Sequence, residues 1–173
     1  MPDPETANIF VRVWHHWDLV LVWGVLATVL MTTILEGAQI VGVTRLSLPF
    51  LFGTFVTGSR RRAQVWGYFL YVIGGTLFAI VYALILETLK PVWWIGVVTG
   101  FAHGCFLVCV FLPLLSQLHP RIATQYEGPS ARRRLEPPGP LGLNYGYTTP
   151  ASTVLAQTLY GLVFAIGYAS HVP

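Results

Sequence analysis

The chain has 173 residues, 54% of them hydrophobic and only 10% charged, with a net charge of +3. An ordinary soluble domain carries about 25% charged residues, so this composition excludes a water-solvated fold and points to lipid as the solvent. The positive charge lies in short runs beside apolar segments, where an anionic leaflet attracts it, so nucleic acid is not expected as a partner.

The first eighteen residues carry Asp3, Glu5 and Asp18 against Arg12. A secretory signal needs a positive start, so the apolar segment that follows is expected to remain as a membrane span. That first span covers about 19–35, close to the lower length limit for a bilayer helix. Trp14, Trp17 and Trp23 cluster at its outer end as an aromatic belt. Gly24, Thr28, Thr32 and Glu36 recur every four residues and share one helix face. Threonines on such a face bond their own helix carbonyls and act as interhelical glue. Glu36 is expected to anchor the span through an ion pair with Arg45 or with one of Arg60, Arg61 and Arg62. The alternative makes Thr28, Thr32 and Glu36 a polar stripe leading into a proton or cation pathway.

Residues 46–56, LSLPFLFGTFV, are apolar but too short to cross, which predicts an interfacial or re-entrant helix after the first span. The second span covers 65–86 and contains Gly74 and Gly75, small residues suited to helix packing. A short turn, Glu87 to Pro91, leads to the third span at 92–115, with Trp93 and Trp94 at its boundary. There Gly96, Gly100 and Gly104 form a row one turn apart, against which another helix backbone can approach closely. His103 lies eleven residues from the start of this span, near mid-bilayer at about 1.5 Å per residue. Ionisable groups at such depth are rare. The leading reading is a neutral imidazole bonded to Thr or Tyr of a neighbouring helix. The alternative is axial ligation of a haem- or chlorophyll-type tetrapyrrole, with Gly100 and Gly104 leaving room for the macrocycle. Cys105 and Cys109, four apart on one helix, are expected to be buried, inert thiols.

Residues 116–150 form a proline-rich loop in which a continuous helix is excluded. It carries Arg132, Arg133 and Arg134, and Leu141, Leu143, Tyr145 and Tyr147 predict that it folds back against the membrane surface. The fourth span covers 151–169 and includes Gly161. Eight of the ten Lys and Arg residues fall in the two loops on one side, with only Arg12 and Lys90 opposite. Short basic loops stay cytoplasmic. The predicted fold is therefore all-α: a single transmembrane domain over 1–173, a four-helix bundle with both termini outside and Arg60–Arg62 and Arg132–Arg134 as cytoplasmic anchors.

An internal repeat runs beneath this pattern. GTLFAIVYA from Gly75 and GLVFAIGYA from Gly161 agree at six of nine positions, at an offset of 86. Trp23-Gly24-Val25 parallels Ile95-Gly96-Val97, and the two arginine triplets match, at an offset of 72. Each half is a hairpin, so a 2+2 parallel duplication about the membrane normal is expected.

RLSLPFLFGTFVT, the stretch SRRRAQVWGYFLYVIGGTLFAIVYALI, WWIGVVTGFAHG and LYGLVFAIGY together resemble an uncharacterised family of small four-span bacterial inner-membrane proteins. The resemblance covers most of the chain from Gly24 onward. It implies a bacterial inner-membrane bundle and brings no established activity or catalytic residues.

No Ser–His–Asp order, nucleophile elbow, CxxC, HExxH or phosphate loop is present, so an enzyme is not expected. His15, His16 and His171 fall on one side, but nothing in the sequence brings them together, and no metal is predicted. The reading that best fits a glycine row and abundant aromatics (six Trp, eight Tyr and ten Phe) is non-catalytic. It makes the chain an accessory subunit of a larger membrane assembly, or a small homo-oligomer, with lipid and other subunits or itself as partners. The runner-up is a small transporter or ion pathway through Thr28, Thr32, Glu36 and His103.

Overall fold

The computed structural model describes residues 8–123 and 135–172. Arg132, Arg133 and Arg134, like Asp3 and Glu5, lie outside the described residues. In chain order the helices are α1 (Ile9–His15), α2 (Trp17–Ile40), α3 (Leu48–Val56), α4 (Arg60–Leu89), α5 (Trp93–Phe106), α6 (Leu112–Leu118) and α7 (Thr149–Ala169). A π-helical turn, Leu107–Phe111, joins α5 to α6, and a short 3-10 helix, Pro140–Tyr145, precedes α7. No strand occurs among the described residues; one isolated bridge pairs Ile122 with Leu135. Among the described residues four helical stretches are long and apolar enough to cross a membrane: Trp17–Ile40, Arg60–Leu89, Trp93–Leu118 and Thr149–Ala169.

The helices outrun the apolar segments. α2 continues to Ile40, which places Glu36 and Gln39 inside the helix, and α4 begins at Arg60, so the arginine triplet forms its first turn. Hydropathy marks where hydrocarbon ends, whereas backbone hydrogen bonding runs on into the headgroup region. Ser47 starts α3 by accepting from the Phe50 amide at 3.3 Å, and Pro49 occupies the first turn, where no amide donor is needed. The π turn in the third span has a local cause. Pro113 has no N–H to offer the carbonyl four residues back, and its ring crowds that carbonyl, so the preceding turn widens.

α7 is the central helix: 50% of its apolar window is buried, against 33% for α2 and α4. α5 lies along it, and α2 packs against both α7 and α4. The glycine row explains the closest approach. A Cβ at Gly96 would collide with the Gly161 carbonyl, one at Gly100 would sit 2.8 Å from Thr158 Cα, and one at Gly104 2.7 Å from Val154 Cα. The fourth span is thus the partner of the row. Between α2 and α4, Gly24 seats Ala79 and Gly75 seats Thr28; between α3 and α4, Gly53 meets the Ala63 carbonyl and Gly67 the Pro49 carbonyl.

Several expectations change. A Cβ at Gly74 would meet nothing within 4 Å, because Gly74 borders an inner cavity and no neighbouring helix backbone. Trp23 packs inward, its indole filling the notch at Gly167 on α7; Trp14, Trp17, Trp93 and Trp94 are exposed. Cys109 is exposed and Cys105 half-buried, because the face opposite α7 carries them.

At the end formed by α1 and the last turns of α4 and α7, Arg12 Nε lies 3.2 Å from Glu87 Oε2, and Arg12 Nη2 donates to the Glu87 carbonyl at 3.0 Å. The Tyr168 hydroxyl donates to Glu87 Oε1 at 2.9 Å. This ion pair joins three helices, and its carboxylate side chain is only 6% exposed.

Candidate functional site

A cluster of polar side chains surrounds a chamber of about 430 Å³ at the arginine-bearing end. Glu36 reaches it from the last turns of α2, Arg45 and Ser47 from the α2–α3 link, and Glu136 and Tyr145 from the returning loop. Arg60, Gln64 and Tyr68 come from α4, where a spacing of four puts them on one face.

The ion pair expected for Glu36 is not formed. Ser47 Oγ donates to Glu36 Oε1 at 2.8 Å, while Arg45 Nη1 pairs with Glu136 Oε2 at 3.4 Å and Arg45 Nη2 donates to the Asn144 carbonyl. The returning loop takes Arg45 because its backbone is fastened beside it. The Arg45 amide donates to the Tyr145 carbonyl at 2.7 Å, and the Tyr145 hydroxyl donates to the Glu136 carbonyl at 2.7 Å. Burial first, then the Glu136 charge, pushes the Tyr145 phenol above its ordinary pKa, with Arg45 opposing. Tyr145 is therefore a fixed donor at neutral pH. Tyr145 is buried against the bundle, whereas Tyr147 is 93% exposed. Gly142, at φ +75, permits the tight approach of this loop to Leu112 and Thr149.

A groove of about 480 Å³ opens sideways between α2 and α4, and Glu36 and Tyr68 line both it and the chamber. Its walls are apolar despite two threonines. Thr32 Oγ1 donates to the Thr28 carbonyl at 2.6 Å and Thr33 Oγ1 to the Val29 carbonyl at 2.8 Å, so both turn methyls outward. Thr28 is fully buried against Gly75, with its hydroxyl on the Gly24 carbonyl at 2.7 Å. The stripe therefore divides: Thr28 is interhelical packing, and Thr32 and Glu36 border open space.

Tyr71 lines both this groove and an inner cavity of about 80 Å³, where His103, Gln157 and Tyr160 converge. His103 Nδ1 lies 3.2 Å from the Tyr82 hydroxyl, and the Phe78 ring sits 4.2 Å from the imidazole, centre to centre. A tetrapyrrole does not fit here. The backbone of α7 fills the space that Gly100 and Gly104 were expected to leave, and the remaining cavity is far smaller than a macrocycle. Sequence reasoning missed Gln157, whose side chain is buried at mid-helix; its polarity within the fourth apolar span was the available signal.

His16 approaches Tyr168 and His171 approaches Trp23, each with ring centres 6.3 Å apart, so the two helix ends do meet. Among the described residues, however, no three His, Cys, Asp or Glu side chains gather where a metal could be held. His119 holds α3 in place. Its Nδ1 accepts from the Arg121 amide at 3.1 Å, which leaves Nε2 as the protonated nitrogen, 3.2 Å from the Leu51 carbonyl and 3.1 Å from Thr54 Oγ1. Burial, aided by Arg121 and opposed by the Leu51 contact, lowers its pKa below the ordinary value. Arg121 Nη1 donates to the Thr54 carbonyl and, at 3.0 Å, to the Phe55 carbonyl, closing the last turn of α3.

Compared with protein-family models, curated proteins and solved structures, the chain matches none. The resemblance to a bacterial four-span family thus gains no support from them, and four helices able to cross a membrane are what the fold itself establishes.

Proposed function

We propose that the protein is a non-catalytic, ligand-binding subunit of a bacterial inner membrane, a single transmembrane domain with both termini outside and the chamber facing the cytoplasm. It works within a larger membrane assembly or as a homo-oligomer, with α3 as an interfacial or re-entrant helix beside the first turns of α4. The observation that carries the binding reading is the chamber itself: about 430 Å³ with Glu36 and Arg60 on facing elements, neither in an ion pair among the described residues. Convergent polar groups in a concave, preformed space are the usual mark of a ligand site. The internal duplication belongs to the same proposal. Gly24 seats Ala79 as Gly96 seats Ala165, and these pairs correspond at the offsets of 72 and 86 found in the sequence. At the first of those offsets Glu36 corresponds to Val108, so the chamber carboxylate is peculiar to the first half.

Native mass spectrometry of the tagged protein, extracted in mild detergent from its own host, tests this reading. A small-molecule adduct that disappears in Glu36→Gln, or stoichiometric protein partners, would support it. A bare monomer with neither would overturn it.

A second reading, a proton or ion pathway, is favoured by the sharing of residues between cavities. Glu36 and Tyr68 join chamber to groove, and Tyr71 joins groove to the His103 cavity. It predicts ion flux in liposomes that Glu36→Gln abolishes, and equal flux in the variant would exclude it.

A further inference from the structure

We propose that the groove between α2 and α4 binds a single-chain amphiphile whose head is a primary ammonium. The ammonium pairs with Glu36, and the alkyl chain lies along α2 toward Val29. The inference goes beyond the chamber reading, since it takes the groove as the site and shares with the chamber only the side chains at their junction, Glu36 and Tyr68.

Charge sets the head. Among the described residues the groove carries one charged side chain, Glu36, and no ion pair neutralises it. The cations of the chamber, Arg45 and Arg60, do not line the groove. A carboxylate left at the edge of hydrocarbon is costly unless a cation joins it. Ser47 satisfies Oε1 of Glu36, which leaves the other oxygen and the Tyr68 hydroxyl as acceptors. A primary ammonium supplies three N–H donors for them, whereas a quaternary ammonium supplies none. A bare metal ion fits poorly. Hard cations ask for several oxygen ligands, and among the described residues no three His, Cys, Asp or Glu side chains gather.

Direction sets the tail. Glu36 stands near the end of α2, and Val29 stands at the middle of that helix, about 10 Å away at 1.5 Å per residue. A chain leaving an ammonium at Glu36 toward Val29 therefore runs from the end of the span to its centre, as the surrounding lipid tails do. Its path is apolar, lined by Val29, Val72 and the methyls of the self-bonded Thr32 and Thr33. Gly37 keeps the path open, because an added Cβ there would meet nothing within 4 Å. A phospholipid cannot lie this way, since phosphate and glycerol separate its ammonium from its tails. In a single-chain amine the tail starts at the nitrogen, so head and tail both begin at Glu36.

The test is native mass spectrometry of the full chain in a non-ionic detergent at neutral pH, titrated with dodecylamine, dodecyltrimethylammonium, dodecanol and ethylamine. One charge-assisted hydrogen bond changes affinity by about tenfold, so dodecylamine is expected to bind about tenfold more tightly than the other two dodecyl probes. Ethylamine, which lacks the tail, is expected to give no adduct. Glu36→Gln is expected to bring dodecylamine down to the level of dodecanol. Gly37→Trp puts an indole into the open path, pointing back along the helix toward Thr33. It is expected to weaken dodecylamine about tenfold while resistance to SDS unfolding stays native. Dodecylamine bound no better than dodecanol, or undiminished in Glu36→Gln, would overturn the ion pair. Equal binding of dodecyltrimethylammonium would overturn the primary ammonium. Indifference to Gly37→Trp, or ethylamine bound as tightly as dodecylamine, would overturn the groove and move the amine into the chamber. Absence of any amine adduct overturns this inference alone, because the chamber reading answers to the adducts and partners carried from the host.

Discussion

Gly100→Leu is expected to destroy the bundle, while the same substitution at Gly37 leaves it intact. A Cβ at Gly100 would lie 2.8 Å from Thr158 Cα and 3.1 Å from the Gln157 carbonyl carbon, so the obstacle is backbone and cannot rotate away. Nor can α7 move as a unit. Its other faces are fixed by the Tyr160 hydroxyl on the Gly75 carbonyl at 2.7 Å and by Trp23 in the notch at Gly167. Overpacking a tight interior costs about 1–3 kcal/mol when side chains can adjust; with backbone as the obstacle the cost is expected to exceed the top of that range. Gly37 has nothing within 4 Å of an added Cβ, and replacing a helical glycine gains about 0.5–1 kcal/mol. Unfolding in mixed micelles with rising SDS, followed by far-ultraviolet circular dichroism, separates the two. A Gly100→Leu protein as resistant as the native chain would show that α5 and α7 are not in backbone contact.

Glu87→Ala is expected to free α1 from the bundle. It leaves Arg12 partly buried, with a 30% exposed side chain and no carboxylate, and takes the acceptor from Tyr168. Breaking a buried ion pair by removing one partner costs about 3–5 kcal/mol, and the partial exposure of Arg12 places this case near the lower figure. α1 has seven residues, far fewer than the roughly 12–15 an isolated helix needs, so its amides should lose hydrogen-exchange protection. The double variant Arg12→Met/Glu87→Leu removes both charges and is expected to recover most of the stability. Unchanged α1 protection in Glu87→Ala would sink the argument, and a double variant as damaged as the single one would locate the effect in Glu87 packing instead of charge.

Apolar segments and arginine placement were legible because each depends on neighbours along the chain. A run of apolar residues specifies a lipid-facing helix, and a glycine every fourth residue specifies a face that admits another backbone. The row at Gly96, Gly100 and Gly104 therefore announced a helix contact without naming α7. Gly74 illustrates the limit: it resembles Gly75 in every local respect, yet only Gly75 faces Thr28. Glu87 went unnoticed because its turn reads as a loop, and its role depends on Arg12 and Tyr168, seventy-five and eighty-one residues away.

Glu36 marks the boundary between the two kinds of information. Composition and spacing by themselves determined a helical chain with four stretches able to cross a membrane, a polar face ending in a carboxylate, and basic charge gathered at one end. Only the tertiary structure decided that Arg45 turns to Glu136, that Glu36 is left with Ser47, and that a chamber and a groove meet at its side chain. The reason is physical: periodicity selects which face a residue occupies, whereas the pairing of charges depends on which distant backbone is fastened close enough to compete for them.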